Sequence, residues 1–354
     1  MEAFEYTQLQ GRIVFGRGTL ARIADEVELL GCKRAFVLSD AHHAGKAAAT
    51  VLQLLGSQAV GFSTEAAMHT PVEVTEQVMK KLQDAAADCL VSLGGGSTTG
   101  LSKALALRTG LPQIVIPTTY AGSEATPILG QTEQGLKTTL RSPKVLPRTI
   151  VYDVDLTLGM PVHLSVVSGM NAMAHALEAL YAKDGNPVTA MLAEQGIAAF
   201  ARALPVIADH TRNADARSDA LFGAWACGNC LGTVGMALHH KLCHTLGGSF
   251  DLPHAETHTV ILPHAAAFNQ RAAPQALGRA ARALGVDKAG SGLFDLAESL
   301  GAPTSLKAIG MAESDLDRAA EIATTSPYWN PRPVDRNSIR ALLEDAFHGR
   351  RPRD

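Results

Sequence analysis

The first half of this chain repeats one pattern: a short apolar run without polar alternation, then a stretch of helical spacing. The runs lie at 35–38, 59–62, 89–93, 113–116 and 149–152. A strand with one wet face alternates apolar and polar residues, whereas a strand covered on both faces need not, and parallel sheets are covered on both. Between the runs, residues 71–87 place Val72, Val74, Val78, Met79 and Leu82 at helical spacing. The alternation predicts an α/β domain with a parallel sheet over residues 1–155. Beyond Asp155 the texture changes to Ala- and Leu-rich segments at helical period, at 165–183, 190–203, 218–230, 232–246, 274–284 and 338–347. A second, all-α domain is expected over 156–354, with a ligand in the cleft between the two.

Charge and composition exclude several functions. Lys and Arg number 31 against 34 Asp and Glu, a net charge of −3, so counterion-driven binding to nucleic acid or anionic lipid has no source. A chain that is 46% hydrophobic and 18% charged buries a core and is not disordered. The leading residues lack the basic and apolar regions of a signal peptide, and no apolar run reaches the ~18–20 residues of a membrane span. A soluble, cytoplasmic protein is expected. The cysteines, Cys32, Cys89, Cys227, Cys230 and Cys243, are odd in number and scattered, which suits a reducing compartment. Cys227 and Cys230 form a CxxC pair with no second pair to complete a zinc site, and read as packing.

Two features carry chemistry. The run at 89–93 leads directly into Gly94-Gly95-Gly96-Ser97-Thr98-Thr99-Gly100 and a helix, a turn that lets backbone N–H groups and a helix dipole approach a phosphate. It fits neither GxGxxG nor the P-loop, in which Lys103 would be wrongly spaced. The next run ends in Thr118-Thr119-Tyr120, so two strands deliver Gly and Thr groups to one carboxyl edge, where open α/β sheets bind ligands. Asp40 follows the run at 35–38, placed to bond a ribose 2′-OH or to cap a helix. The second feature is a set of histidines among the 13 present. Asn171 and His175 are four apart, as are His240 and His244, with His239 beside them; His254 follows on an expected loop, and His258 and His264 come soon after. Such spacing amid Ala, Met and Leu describes a polar site inside a helical bundle.

On these motifs the chain resembles the iron-containing (group III) alcohol dehydrogenase family, which pairs a GGGS loop and a PTT…GSE strand end with an Asp-x3-His…His…His metal site. The segments TTYAGSE (118–124), SGMNAMAH (168–175), LHHKLCHTLGG (238–248), LPHAETH (252–258) and NPRP (330–333) resemble its maleylacetate reductase branch. The resemblance implies the dehydroquinate synthase-like fold of that family, dimerisation, and contacts to NADH or NADPH from Asp40, Gly95, Gly96, Ser97, Thr118, Thr119 and Lys137. It also implies reduction of the carbon–carbon double bond of 2-maleylacetate to 3-oxoadipate, in the breakdown of aromatic rings. His244 is the expected proton donor, with His175, His240 and His254 as catalytic imidazoles and Asn171, Lys241 and Tyr120 as substrate contacts. The chain departs from the family pattern twice. The 118–124 stretch is one residue shorter than the common form, and Asn171 stands where the family has its Asp ligand. Since Asn withholds the anionic ligand, no resident metal is expected at positions 171, 175, 240 and 254. A metal-dependent alcohol or glycerol dehydrogenase and a dehydroquinate synthase-like lyase are the rival readings.

Overall fold

The computed structural model describes residues 3–9, 11–41, 45–326 and 328–353, without the side chain of Lys137. The chain divides into two compact units, Gln8–Met160 and, with the leading segment to Thr7, Pro161–Asp354.

The first unit is built on a six-stranded parallel sheet. Its strands are β1 (Arg12–Gly16), β2 (Ala35–Leu38), β3 (Ala59–Ser63), β4 (Cys89–Gly94), β5 (Gln113–Pro117) and β8 (Thr149–Asp153). They lie in the order β1-β8-β5-β4-β2-β3, and every pair is parallel. Four helices connect them: α1 (Ile23–Leu29), α2 (Lys46–Leu55), α3 (Val72–Asp84) and α4 (Gly96–Thr109). Strands β2, β4, β5 and β8 are buried at every position. The two faces still sort by alternation. Ala35, Val37, Cys89 and Val91 pack with Val27 of α1 and Val51 of α2, while Phe36, Leu38 and Leu90 pack with Val78 of α3 and Leu105 of α4. Continuous apolar runs are therefore two interleaved faces, each buried under its own helix layer.

Two pieces of this unit were not anticipated. Strand β1 is at the sheet edge, its Arg12 exposed and Phe15 39% accessible, so it lacks the unbroken apolar run of the central strands. The antiparallel hairpin of β6 (Ile128–Glu133) and β7 (Leu136–Arg141) turns through Gln134 and Gly135, both with positive φ, 49° and 78°. That is the backbone of a tight primed turn. Its signal was masked by Gln in place of the usual Asn or Asp and by polar strands.

The second unit contains no strand among the described residues. Its helices are α5 (Val162–Leu180), α6 (Pro187–Asp209), α7 (Ala214–Thr233), α8 (Leu238–Phe250), α9 (His254–Asn269), α10 (Pro274–Leu284), α11 (Ala289–Ser299), α12 (Leu316–Thr325) and α13 (Arg336–His348). Small residues let α5, α6 and α7 approach closely. A Cβ on Gly196 would lie 2.6 Å from the Cys227 sulfur, and Cβ atoms on Gly169 and Gly223 would each lie 3.0 Å from the Phe200 ring. The CxxC cysteines are thus buried packing groups, Cys230 donating weakly to the Thr189 carbonyl at 3.6 Å. Contrary to the reading of apolar runs, α6 is long and apolar enough to cross a membrane. Half of its most apolar window is buried in the bundle, as befits a core helix. A single helix over 232–246 was also expected. Instead α7 runs to Thr233, Val234 is extended, and α8 starts afresh at Leu238.

His264 on α9 is 4% exposed, with its ring 6.4 Å from that of Phe294, and burial pushes its pKa down to about 4, with Asp345 opposing weakly. The unfolded chain takes up this proton near pH 6.5, whereas the folded chain resists until about pH 4. Stability therefore falls as the pH drops below 6.5. At pH 5 this one residue should remove about 2 kcal/mol relative to pH 7.5. Denaturant titrations at the two pH values should show a smaller acid loss, by about that amount, in His264→Gln. An unchanged loss would refute the assignment.

Candidate functional site

At the carboxyl edge of the sheet, β4 passes directly into α4 through Gly94 and Gly95. Gly94 has φ +153°, and a Cβ there would lie 2.3 Å from Thr98 Oγ1 and 3.0 Å from Asp40 Oδ2. A Cβ on Gly95 would crowd Thr119 at 3.1 Å, whereas the same position on Gly96 meets nothing within 4 Å. The loop is packed against protein on one side and open on the other. No side chain caps α4, so its first N–H groups are left for a ligand. The Thr118 amide donates to the Gly94 carbonyl at 3.1 Å, tying the two strand ends together, and Thr118 Oγ1 is buried without a partner. Asp40 does not cap α2, which starts at Lys46 after Gly45. It accepts from Thr98 Oγ1 at 3.3 Å and so belongs to the glycine loop. The structure thus brings Asp40, Gly95, Gly96, Thr118 and Thr119 together, with Ser97 in the first turn of α4. Tyr120 follows them, fully buried. Lys137 falls on β7, its side chain outside the described residues.

Beneath this edge lies a polar anchor that the sequence did not disclose. The Lys103 ammonium, 1% exposed, donates to the carbonyls of Ser123, Thr126 and Ile128 at 2.5, 2.8 and 2.9 Å, and meets Thr126 Oγ1 at 3.0 Å. Burial lowers its pKa to about 7, against the opposing pull of Glu124. Burial raises the pKa of Glu124, which accepts from the Tyr152 hydroxyl at 2.9 Å. Lys103, spaced wrongly for a P-loop, instead holds the 123–128 backbone in place from below.

In the helical unit three helices bring six imidazoles into one cluster. Helix α5 supplies His175, α8 supplies His239, His240 and His244, and α9 supplies His254 and His258. The His175 and His240 ring centres are 5.2 Å apart, and His244 is 6.2 Å from His240. His254, expected on a loop, is the first residue of α9 and exposed, because Pro253 begins the helix immediately before it. Helical spacing then places His258 four residues on, with its ring 4.4 Å from that of His254. His258 is the hub, also 6.5, 4.8 and 5.2 Å from His175, His239 and His240. Its i,i+4 relation to His254 was the signal available in the sequence. His258 Nδ1 lies 3.0 Å from His239 Nε2. Burial, reinforced by neighbouring imidazoles, holds His175, His239 and His258 well below the usual histidine range, so these rings are neutral. Lys241 is half-buried and turned toward the Tyr328 ring, 5.8 Å away.

The residue that organises the cluster is Glu178, which the sequence reading passed over. It is fully buried on α5, one helical stripe on from Asn171 and His175. Its carboxylate accepts from the Ala237 and His239 amides at 2.8 and 2.7 Å and meets His240 Nδ1 at 2.8 Å. Asn171 Oδ1 and, in the imidazole cluster, His175 Nδ1, His239 Nδ1, His240 Nε2 and His258 Nε2 are buried with no protein partner. Such atoms cost free energy unless a ligand satisfies them.

The glycine loop and its open side fit the diphosphate of a dinucleotide. At the helical site the positions that the resemblance implies for metal ligands hold no carboxylate. Asn171 and three imidazoles are all neutral donors, and the carboxylate on this stripe, Glu178, is committed to the start of α8. Among the described residues, the donors close enough to share an ion are His239, Cys243 and His258, and separately Cys32, Asp88 and Cys89. In both groups burial raises the pKa of the thiols.

Family models match both units. Residues 10–154 match the iron-containing alcohol dehydrogenase model, and residues 165–347 match the C-terminal model of the Fe-containing alcohol dehydrogenase family. The chain is 57% identical to a maleylacetate reductase of Rhizobium sp. (strain MTP-10005), over 99% of this chain and all of that one. It is 53% identical to the maleylacetate reductase of Burkholderia cepacia, with the same coverage. The crystal structure of maleylacetate reductase from Agrobacterium tumefaciens, 56% identical, superposes with a TM-score of 0.97 over 99% of this chain and 100% of its own. With both halves matched and its relatives covered from end to end, the chain belongs to the iron-containing alcohol dehydrogenase family of oxidoreductases.

Proposed function

We propose that this enzyme reduces the carbon–carbon double bond of 2-maleylacetate, consuming NADH and a proton and yielding 3-oxoadipate and NAD⁺. The observation that carries the reading is end-to-end identity of 50–57% to proteins named maleylacetate reductase. The chemistry of the helical site agrees with it. Asp40, Gly95, Gly96, Ser97, Thr118, Thr119 and Lys137 would hold the dinucleotide, which when bound supplies a hydride to the alkene carbon β to the ketone. The electron pair of the double bond then moves toward the ketone oxygen, giving an enolate. Neutral imidazole N–H groups favour that developing charge without requiring a metal. His244, exposed at the rim of the cluster, delivers the proton to the adjacent carbon. Lys241, Asn171, Tyr120, His175 and His254 are the proposed partners of the two substrate carboxylates and the ketone. We further propose a division of labour at Asp155, with the nucleotide held by residues 1–155 and the substrate by 156–354. A cytoplasmic homodimer acting in aromatic-ring breakdown completes the reading. An assay following 340-nm absorbance with maleylacetate tests it, because a lyase of this fold would consume no NADH.

The first prediction concerns the cofactor. A carboxylate at Asp40 repels a 2′-phosphate, so kcat/KM with NADH should at least equal that with NADPH, and Asp40→Ser should narrow the difference. A preference of about tenfold for NADPH in the wild type would refute this placement of Asp40.

The second concerns His244. In His244→Ala, kcat should fall ~10²–10⁴-fold while KM for NADH changes little. Nearly normal turnover would assign proton delivery to another group.

The third concerns metal. Turnover should persist after EDTA treatment, and Asn171→Asp should bind Zn²⁺ more tightly than the wild type by equilibrium dialysis. About one tightly bound ion per chain, with activity lost on chelation and restored on its return, would overturn metal-free turnover.

A further inference from the structure

We infer that Glu178 is a positioning residue: its carboxylate takes the Nδ1 hydrogen of His240 and so presents Nε2 to the site as a bare lone pair. The argument is one of matching donors to acceptors. Oε1 faces the His239 amide at 2.7 Å, and Oε2 faces the Ala237 amide at 2.8 Å. Both are backbone N–H groups, which only donate, so both oxygens must accept. The same two groups open α8, whose N-cap has no side-chain cap of its own. The Tyr181 hydroxyl adds a weaker donor at 3.4 Å. With Oε2 an acceptor, the 2.8 Å contact to His240 Nδ1 requires the hydrogen to sit on the ring. A neutral imidazole carries one N–H, so Nε2 has none. That atom is buried and meets no protein donor.

The consequence deepens the reductase reading and rests on it for its kinetic part. In its neutral form, with hydrogen on Nδ1, His240 receives a hydrogen bond at Nε2 and has none to supply there. The proton delivered to carbon and the N–H bonds to the substrate carboxylates must therefore come from other groups. Among the four imidazoles first expected to act alike, His240 is the acceptor.

Two-bond ¹H–¹⁵N correlation spectra of protein labelled with ¹⁵N-histidine, recorded at pH 8 with His240→Gln to assign the ring, test this directly. The wild type should show His240 with hydrogen on Nδ1 alone. Hydrogen on Nε2, as the other tautomer or as imidazolium, overturns the inference without any variant that must fold. Glu178→Gln places an NH₂ group against a former donor and should move the His240 hydrogen to Nε2. Its kcat should fall ~10–100-fold with KM for NADH changed less than about twofold. Turnover within about twofold of wild type despite a moved hydrogen would refute the positioning role, as would a large loss with the tautomer unchanged. If the wild type fails to turn over maleylacetate at all, the substrate reading falls, and the tautomer spectrum still decides the placement of the hydrogen.

Discussion

A carboxylate removed from water must be surrounded by donors or it does not stay buried, and Glu178 meets that demand with groups that would otherwise be orphaned. The first N–H groups of any helix lack intrahelical partners. At α8 two N–H groups at its start, those of Ala237 and His239, end on Glu178, and α5 is thereby fixed to the point where α8 begins. This contact explains why α8 starts at Leu238 rather than continuing from α7. It also sets the helical phase of α8 against α5, which brings His175 and His240 within 5.2 Å. Glu178 thus ties α5 to the start of α8 and to one ring of the imidazole cluster, His240.

The nucleotide edge of the sheet obeys the same logic with opposite sign. Here the buried group is the Lys103 ammonium, satisfied by backbone carbonyls of the 123–128 segment. The Ser123 and Thr126 carbonyls lie before β6, outside any ladder, and the Ile128 carbonyl sits at its first residue. One lysine on a helix therefore ties together backbone groups of this segment, beyond the strand end that carries Thr118 and Thr119. The glycine loop can then be open toward solvent at Gly96 while closed against Asp40 and Thr119 at Gly94 and Gly95.

What the sequence disclosed follows from how local each signal is. The strands β2, β4, β5 and β8 were legible because burial on both faces imposes an unbroken apolar run, and the half-buried edge strand β3 keeps a short apolar run of its own. The edge strand β1 and the polar hairpin β6–β7 were not, since one side of each is wet and neither needs that run. The motif residues of the glycine loop and of α8 are adjacent in sequence and stood out. Glu178, Lys103 and His258 act across elements, and their partners are 59 and 61 residues away for Glu178 and 19 for the pair His239–His258. A polar residue in an apolar helix announces that it has a partner, not which one. Nor could single apolar runs show that α6, apolar as a membrane span, is instead a bundle core.

The replacement of a carboxylate by Asn171 takes its meaning from these constraints. A metal centre with an anionic ligand stores positive charge near the reacting oxygen, which suits an isolated carbonyl whose charge on reduction is localised. In an unsaturated ketone the charge that follows hydride addition is spread over an enolate, and fixed dipoles suffice where a cation is not needed. Burial keeps His175, His239 and His258 uncharged, and Glu178 has its charge matched by backbone dipoles. At the positions where the resemblance implies the family's metal ligands, this chain carries Asn171, His175, His240 and His254. Asn171 itself lies buried on α5.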